Sequence, residues 1–147
     1  MRFSLTLFIG LGIFSAFTLW LCEEKNPFRS YAPDVPGKFL AGIENYHEAM
    51  WVGTNSDSIG ILLNEMVKSS EKRWIGGGIL PDEHCRHDFY FDPNTVLIAE
   101  STVEGMQTTI HQISANPDSF ASHGWSNGLT DHAWYVLGKF LEYRTNG

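Results

Sequence analysis

The chain has 147 residues and a mass of 16.6 kDa, room for one compact domain and not comfortably two. It sets 17 Asp and Glu against 10 Lys and Arg, a formal charge of -7, and is 43% hydrophobic and 14% aromatic, so it can build a core. It lacks the basic density with which nucleic-acid binders neutralise phosphate or a polybasic patch holds anionic lipid, and its two cysteines have no CxxC spacing for a zinc ribbon or redox site.

In chain order, the first feature is the uncharged run from Phe3 to Cys22. At about 1.5 Å per residue, a helix of that length matches a bilayer's hydrocarbon core of roughly 30 Å. A cleaved signal peptide would have a shorter apolar stretch and small residues before the cut, whereas Phe17, Leu19, Trp20 and Leu21 prolong this one. The run therefore predicts a signal-anchor helix over residues 1–22, in contact with lipid through residues 3–22. Arg2 favours an inner-membrane, single-pass arrangement with the C-terminal domain outside the cytoplasm. Gly12 and Ala16 form a small-xxx-small pair, which is common by chance in such a helix.

Residues 23–37 contain Pro27, Pro33 and Pro36 and read as a Pro-rich tether. The remainder, 38–147, reads as one acidic helical domain. Phe39, Leu40, Ile43, Tyr46 and Met50 fall at helical spacings and predict a first helix over 38–51. Thr54 with Asp57, or Ser56, caps a second, whose apolar face is Ile59, Leu62, Leu63, Met66 and Val67 and which ends near Arg73. Gly76-Gly77-Gly78 predicts a turn or mobile loop. Asp92-Pro93 has the chemistry of a helix start, and Val96, Ala99, Val103, Met106, Ile110 and Ile113 form an a/d stripe along 93–114. A rival reading makes 89–99 a hairpin around a turn at Asp92-Pro93-Asn94. Residues 115–128 form a polar loop, and Thr130 or Asp131 opens a last helix to about Arg144, with Ala133, Trp134, Leu137, Phe140 and Leu141 on its face. The expected fold is mainly α: an N-terminal transmembrane helix plus about four helices outside the cytoplasm, with a short β-hairpin as the one exception allowed.

Few residues suggest chemistry. His84, Cys85, His87 and Asp88 carry the side-chain types that bind Zn²⁺, but adjacent ligands point apart and structural zinc sites use separated pairs. An ordinary polar loop is the simpler reading, and no cofactor is expected. Cys85 beside His87 lacks a third, orienting group for a nucleophilic thiol, and there is no GxSxG or phosphate-loop pattern. Trp125, in a glycine-bracketed loop, with Trp134 and Tyr135, could offer an aromatic anchor to a protein partner.

The order of a single N-terminal span, a capped helix, Gly-Gly-Gly-Ile-Leu-Pro-Asp at 76–82, Asp-Pro-Asn at 92–94, Trp125 and then Thr130-Asp131, Tyr135, Leu141 and Tyr143 resembles a proteobacterial family of single-span inner-membrane proteins labelled as a domain of unknown function. The resemblance covers about residues 60–147. It implies an inner-membrane protein facing the periplasm and supplies no activity or site residues. The function expected on these grounds is contact: an accessory or scaffolding subunit of an envelope complex, partnered by another membrane or envelope protein and not by nucleic acid. The alternatives are a membrane-anchored metal-binding protein or hydrolase using His84, Cys85, His87 and Asp88, and a secreted immunity or inhibitor protein.

Overall fold

A computed structural model describes residues 26–102, 104–122 and 133–146. Its framework is a β-sheet, which corrects the expectation of a mainly α, four-helix domain. Two strands, β1 (Phe39–Asn45) and β2 (Glu48–Thr54), form an antiparallel hairpin where the first helix was expected. Helix α1 (Asp57–Ser69) follows, and then β3 (Lys72–Gly77), so the glycine run ends a strand instead of forming a loop. A small two-stranded unit, β4 (Ile79–Pro81) and β5 (Phe89–Phe91), precedes β6 (Leu97–Ala99), the two-residue β7 (Gln107–Thr108) and two helices of six residues, α2 (Ile110–Ala115) and α3 (Pro117–Ser122). The last element is the twelve-residue β8 (Trp134–Thr145), which stands where a helix to Arg144 was expected.

In the main sheet the order is β2-β1-β8-β3-β6. One edge of β8 pairs with β3 through Trp134–Lys139, while the other pairs with β1 from Lys139 onward and with β7, in parallel, at Tyr135 and Val136. Register shifts between Gly42 and Ile43 on β1, a β-bulge that bends the sheet.

Both faces of the β1–β2 hairpin are buried. Ala41, Ile43, Met50 and Val52 join Ile75, Val136 and Phe140 in the main core, under Leu63 of α1, Ile110 and Ile113 of α2, and Phe89 and Phe91 of β5. On the opposite face Leu40, Ala49 and Trp51 pack with Phe28. A strand covered on both sides reads as a continuous apolar run, and such a run contains accidental matches to the helical spacing. That is why 38–51 read as a helix.

Residues 26–36, expected as a tether, lie on the second face. Pro27–Arg29 form a 3₁₀ turn capped by Asn26, Phe28 is buried, and the Trp51 Nε1–H donates to the Tyr31 carbonyl at 2.8 Å. The Phe28 ring sits so close over Gly42 that a Cβ there would lie 2.6 Å from it. The helix α1 matches its sequence reading at its start, where Ser56 is the cap and accepts from the Ile59 N–H at 3.3 Å, but it ends at Ser69, and Arg73, its expected end, lies in β3. Ile61 and Leu62, however, are exposed.

The stripe along 93–114 is not one helix. Asp92 to Thr95 form a turn closed by the Thr95 N–H on the Asp92 carbonyl at 3.0 Å, and the Thr95 Oγ1 accepts from the Gly78 N–H. Strands β5 and β6 flank that turn as the rival reading expected, but each pairs with a different neighbour. Val103 lies outside the described residues. Asp-Pro thus opens a turn here, a use these two residues serve as readily as a helix start.

Among the described residues no helix is long and apolar enough to cross a membrane. The expected transmembrane anchor, inner-membrane placement and signal-anchor topology find no such helix here and are not carried further; residues 3–22, on which they rested, lie outside the described residues.

Candidate functional site

The residues first suspected of metal chemistry form the loop joining β4 to β5, and the fold sends them to separate partners. The Asp82 N–H bonds the Asp88 carbonyl at 2.9 Å and closes the loop. His84 is exposed, its Nδ1 3.1 Å from Asp82 Oδ1. The backbone N–H of His84, the largest influence, and its ring hold the Asp82 carboxyl below the usual range. The Cys85 thiol is buried and donates to the Asp34 carbonyl at 3.5 Å. Burial, with Asp34, Asp82 and Asp88 nearby, pushes it up to about 11, so it is protonated at neutral pH and a poor nucleophile. His87 is buried with Nε2 2.6 Å from the Ala49 carbonyl, where it donates to the outer edge of β2. Asp88 has a left-handed backbone, φ 64°. Among the described residues no three His, Cys, Asp or Glu converge as a metal site.

The loop instead locks the N-terminal segment to the sheet. Asp34 accepts from the Tyr31 hydroxyl at 3.0 Å and from the Arg86 N–H at 2.9 Å, and the Arg86 guanidinium lies 4.5 Å from the Tyr31 ring centre. Burial, followed by the Asp34 charge, raises the Tyr31 phenol. The two histidines therefore differ sharply. His84→Ala is expected to change stability by less than about 0.5 kcal/mol, and His87→Ala to cost about 2 kcal/mol because it orphans a buried carbonyl and leaves a void. Urea denaturation of the two variants checks the difference; equal costs would mean that His87 does not seal the β2 edge.

The suspected aromatic anchors are also structural where they can be seen. Trp134 packs edge-on against Phe120, 4.9 Å between centres, and its Nε1–H donates to the Phe120 carbonyl. Tyr135 is 7% exposed, and burial raises its phenol. Trp125 lies outside the described residues.

Among the described residues the exposed aromatic is Tyr46, 77% accessible at the tip of the β1–β2 hairpin. Tyr46 and His47 form the two-residue turn with φ 46° and 68°. Such a turn needs positive φ at both positions and is usually Asn-Gly. Here each carries a side chain, at a cost of about 1–2 kcal/mol apiece. The tip is held from below by Asn45, 3% exposed, whose Nδ2 donates to the Leu137 carbonyl at 2.9 Å and whose Oδ1 accepts from the Ile110 N–H at 3.1 Å. That single amide ties the tip to β8 and to the start of α2.

Under Tyr46 runs a trough over the sheet face opposite the main core. One half, of about 330 Å³, is bounded by Glu44, His47, Lys72 and Lys139; the other, of about 360 Å³, by Trp74, Gln107, Thr109 and Gln112. Both share Asn45, Tyr46 and Leu137. Sequence reading missed these residues because Tyr46 was placed inside a helix. The available signal was Asn45 between two runs rich in apolar residues, a turn residue where a helix would prefer none. No family model matches the chain, and neither a curated protein nor a solved structure matches it.

Proposed function

We infer that this domain works by contact, as an accessory or scaffolding subunit, and that it presents Tyr46 and the trough beneath it to its partner. The observation that carries this reading is the hairpin tip. Strained left-handed residues concentrate where function holds them, and here the strain displays a tyrosine in water while a buried amide fixes its base. A large side chain with an apolar ring and a polar end has only two torsions to fix on binding, which is one reason tyrosine is frequent in interface hot spots. A hydrolytic role for the 82–88 loop draws no support from a buried, protonated thiol.

The test places a photo-reactive amino acid at position 46, in full-length protein made in its host. A discrete cross-linked partner is expected at Tyr46 and not at the exposed His84. Tyr46→Ser should keep the melting temperature within a few degrees and lose the partner. Identical labelling from both positions, or an undiminished complex in Tyr46→Ser, would overturn the reading.

A further inference from the structure

The half of the trough bounded by Trp74, Gln107, Thr109 and Gln112 is lined by no charged side chain, in a chain of which 18% is charged. Two aromatic residues line it, Tyr46 from the hairpin tip and Trp74, which faces Leu137 across β3 and β8.

Its polar groups are already spent unevenly. Asn45 uses both ends of its amide, on the Leu137 carbonyl and the Ile110 N–H. The Gln112 Oε1 accepts from the Thr108 hydroxyl at 3.2 Å, and the Thr109 Oγ1 accepts from the Gln112 backbone N–H at 3.1 Å. What remains to Gln112 is its NH₂, and Thr109 keeps its O–H; both are donors. The Trp74 indole is a donor only. Like the Tyr46 hydroxyl and the Gln107 amide, it has no hydrogen-bond partner among the described residues.

Such a lining suits a ligand that is uncharged, packs on aromatic rings, and has many acceptors and few donors. A proline-rich segment meets each condition. Every proline has a carbonyl and no N–H, and its ring packs in aromatic-lined grooves. In the polyproline II form these carbonyls have no partner within the segment, and the conformation is set before binding. A saccharide brings hydroxyl donors as well as acceptors, and the lining has few acceptors left for them. The volume, about 360 Å³, lies near the lower end of ligand sites, roughly 300–1,000 Å³, and the space continues into the other half of the trough. It therefore takes a short stretch of a longer chain.

We propose that this half of the trough binds a proline-rich segment of the partner protein, its rings against Tyr46, Trp74 and Leu137 and its carbonyls accepting from the Trp74 indole and the Gln112 amide. This rests on the contact reading above and specifies the partner's chemistry.

The experiment titrates isotope-labelled full-length protein with the capped peptide Ser-Pro-Pro-Pro-Pro-Ser and with its counterpart Ser-Ala-Ala-Ala-Ala-Ser. The proline peptide should shift the Trp74 indole N–H and the Gln112 side-chain amide, and the alanine peptide should bind about tenfold more weakly, having a flexible backbone to order. Trp74→Phe keeps a ring and removes the donor, and should weaken binding about fivefold, the worth of one hydrogen bond. Gln112→Glu keeps an oxygen for Thr108, removes the NH₂ and adds a charge at an exposed position, and should weaken it about tenfold. Melting temperatures within a few degrees of the parent establish that the variants fold; Gln112→Glu carries the test should Trp74→Phe not. Added salt should leave proline-peptide binding unchanged, since no ion pair forms. Equal binding of the two peptides, or full binding by Gln112→Glu, would overturn the proline assignment while a surviving Tyr46 cross-link left the contact reading standing. Cellohexaose moving the same indole signal at comparable concentration would overturn it in favour of a saccharide site. Loss of both peptide shifts and cross-link would overturn both readings.

Discussion

Asn45→Ala is expected to destabilise the protein by about 3 kcal/mol, because it orphans two buried backbone groups at once and each costs about 1–3 kcal/mol. The groups are the Leu137 carbonyl and the Ile110 N–H. For a domain of this size the melting temperature should fall by about 10 °C. Asn45→Asp should be worse, although it is nearly isosteric: it retains an acceptor for Ile110 but turns a charged oxygen toward the Leu137 carbonyl, with little water to solvate it. Thermal and chemical denaturation of the two variants settle the matter. A cost under about 1 kcal/mol for alanine would show that the hairpin tip is anchored by other contacts. The link to function is direct, since the same amide fixes the base of Tyr46. In a variant that still folds, cross-linking from position 46 should decline.

Gly76→Ala is the other large effect. Gly76 faces Tyr135 in the β3–β8 ladder, and a Cβ at position 76 would run into the backbone carbonyl of Trp134. A backbone atom in a paired central strand cannot swing aside like a side-chain end, so the clash must be relieved by parting the strands. The expected cost is about 3 kcal/mol or more, at the upper end for overpacking. Gly105→Ala is the control: nothing lies within 4 Å of a Cβ there, and the loss of unfolded-state freedom should leave stability equal or raised by up to about 1 kcal/mol. Equilibrium unfolding in urea checks the pair. Equal tolerance would mean that β3 and β8 are more loosely paired than their register implies.

What the sequence made legible follows from burial. Helix α1 could be read because it is covered on one side only and begins at a serine cap, so its apolar period and its start signal agree. Its errors were local: Leu62 was assigned to the covered face and is exposed, and the helix stops at Ser69, short of Arg73. The hairpin of β1 and β2 could not be read in the same way. Leu40 and Trp51 serve one core and Ala41, Ile43, Met50 and Val52 the other, which erases the period of two. The stripe from Val96 to Ile113 failed for another reason. Val96, Ile110 and Ile113 do meet in one core, but they reach it from a turn region and a short helix, brought together by tertiary pairing. For the 82–88 cluster, side-chain type and spacing were all that the sequence offered, and they favoured an ordinary polar loop over a metal site. The decisive fact, that His87 and Arg86 are committed to Ala49 and Asp34, involves partners 38 and 52 residues away. Tyr46 gave no cue because the turn it occupies lacks the glycine that normally marks its type.

The position of β8 has a consequence for the making of this molecule. It lies between β1 and β3 in the sheet, yet it follows both in the chain. Until Trp134–Thr145 leave the ribosome, β1 and β3 each have one unsatisfied edge, and the core residues Ile43 and Ile75 lack the Val136 and Phe140 that cover them. Pairing across such separations is entropically slow, and open apolar edges are templates for association between chains. The sheet therefore closes only once β8 is available, and until then the open edges of β1 and β3 are exposed to pairing with other chains.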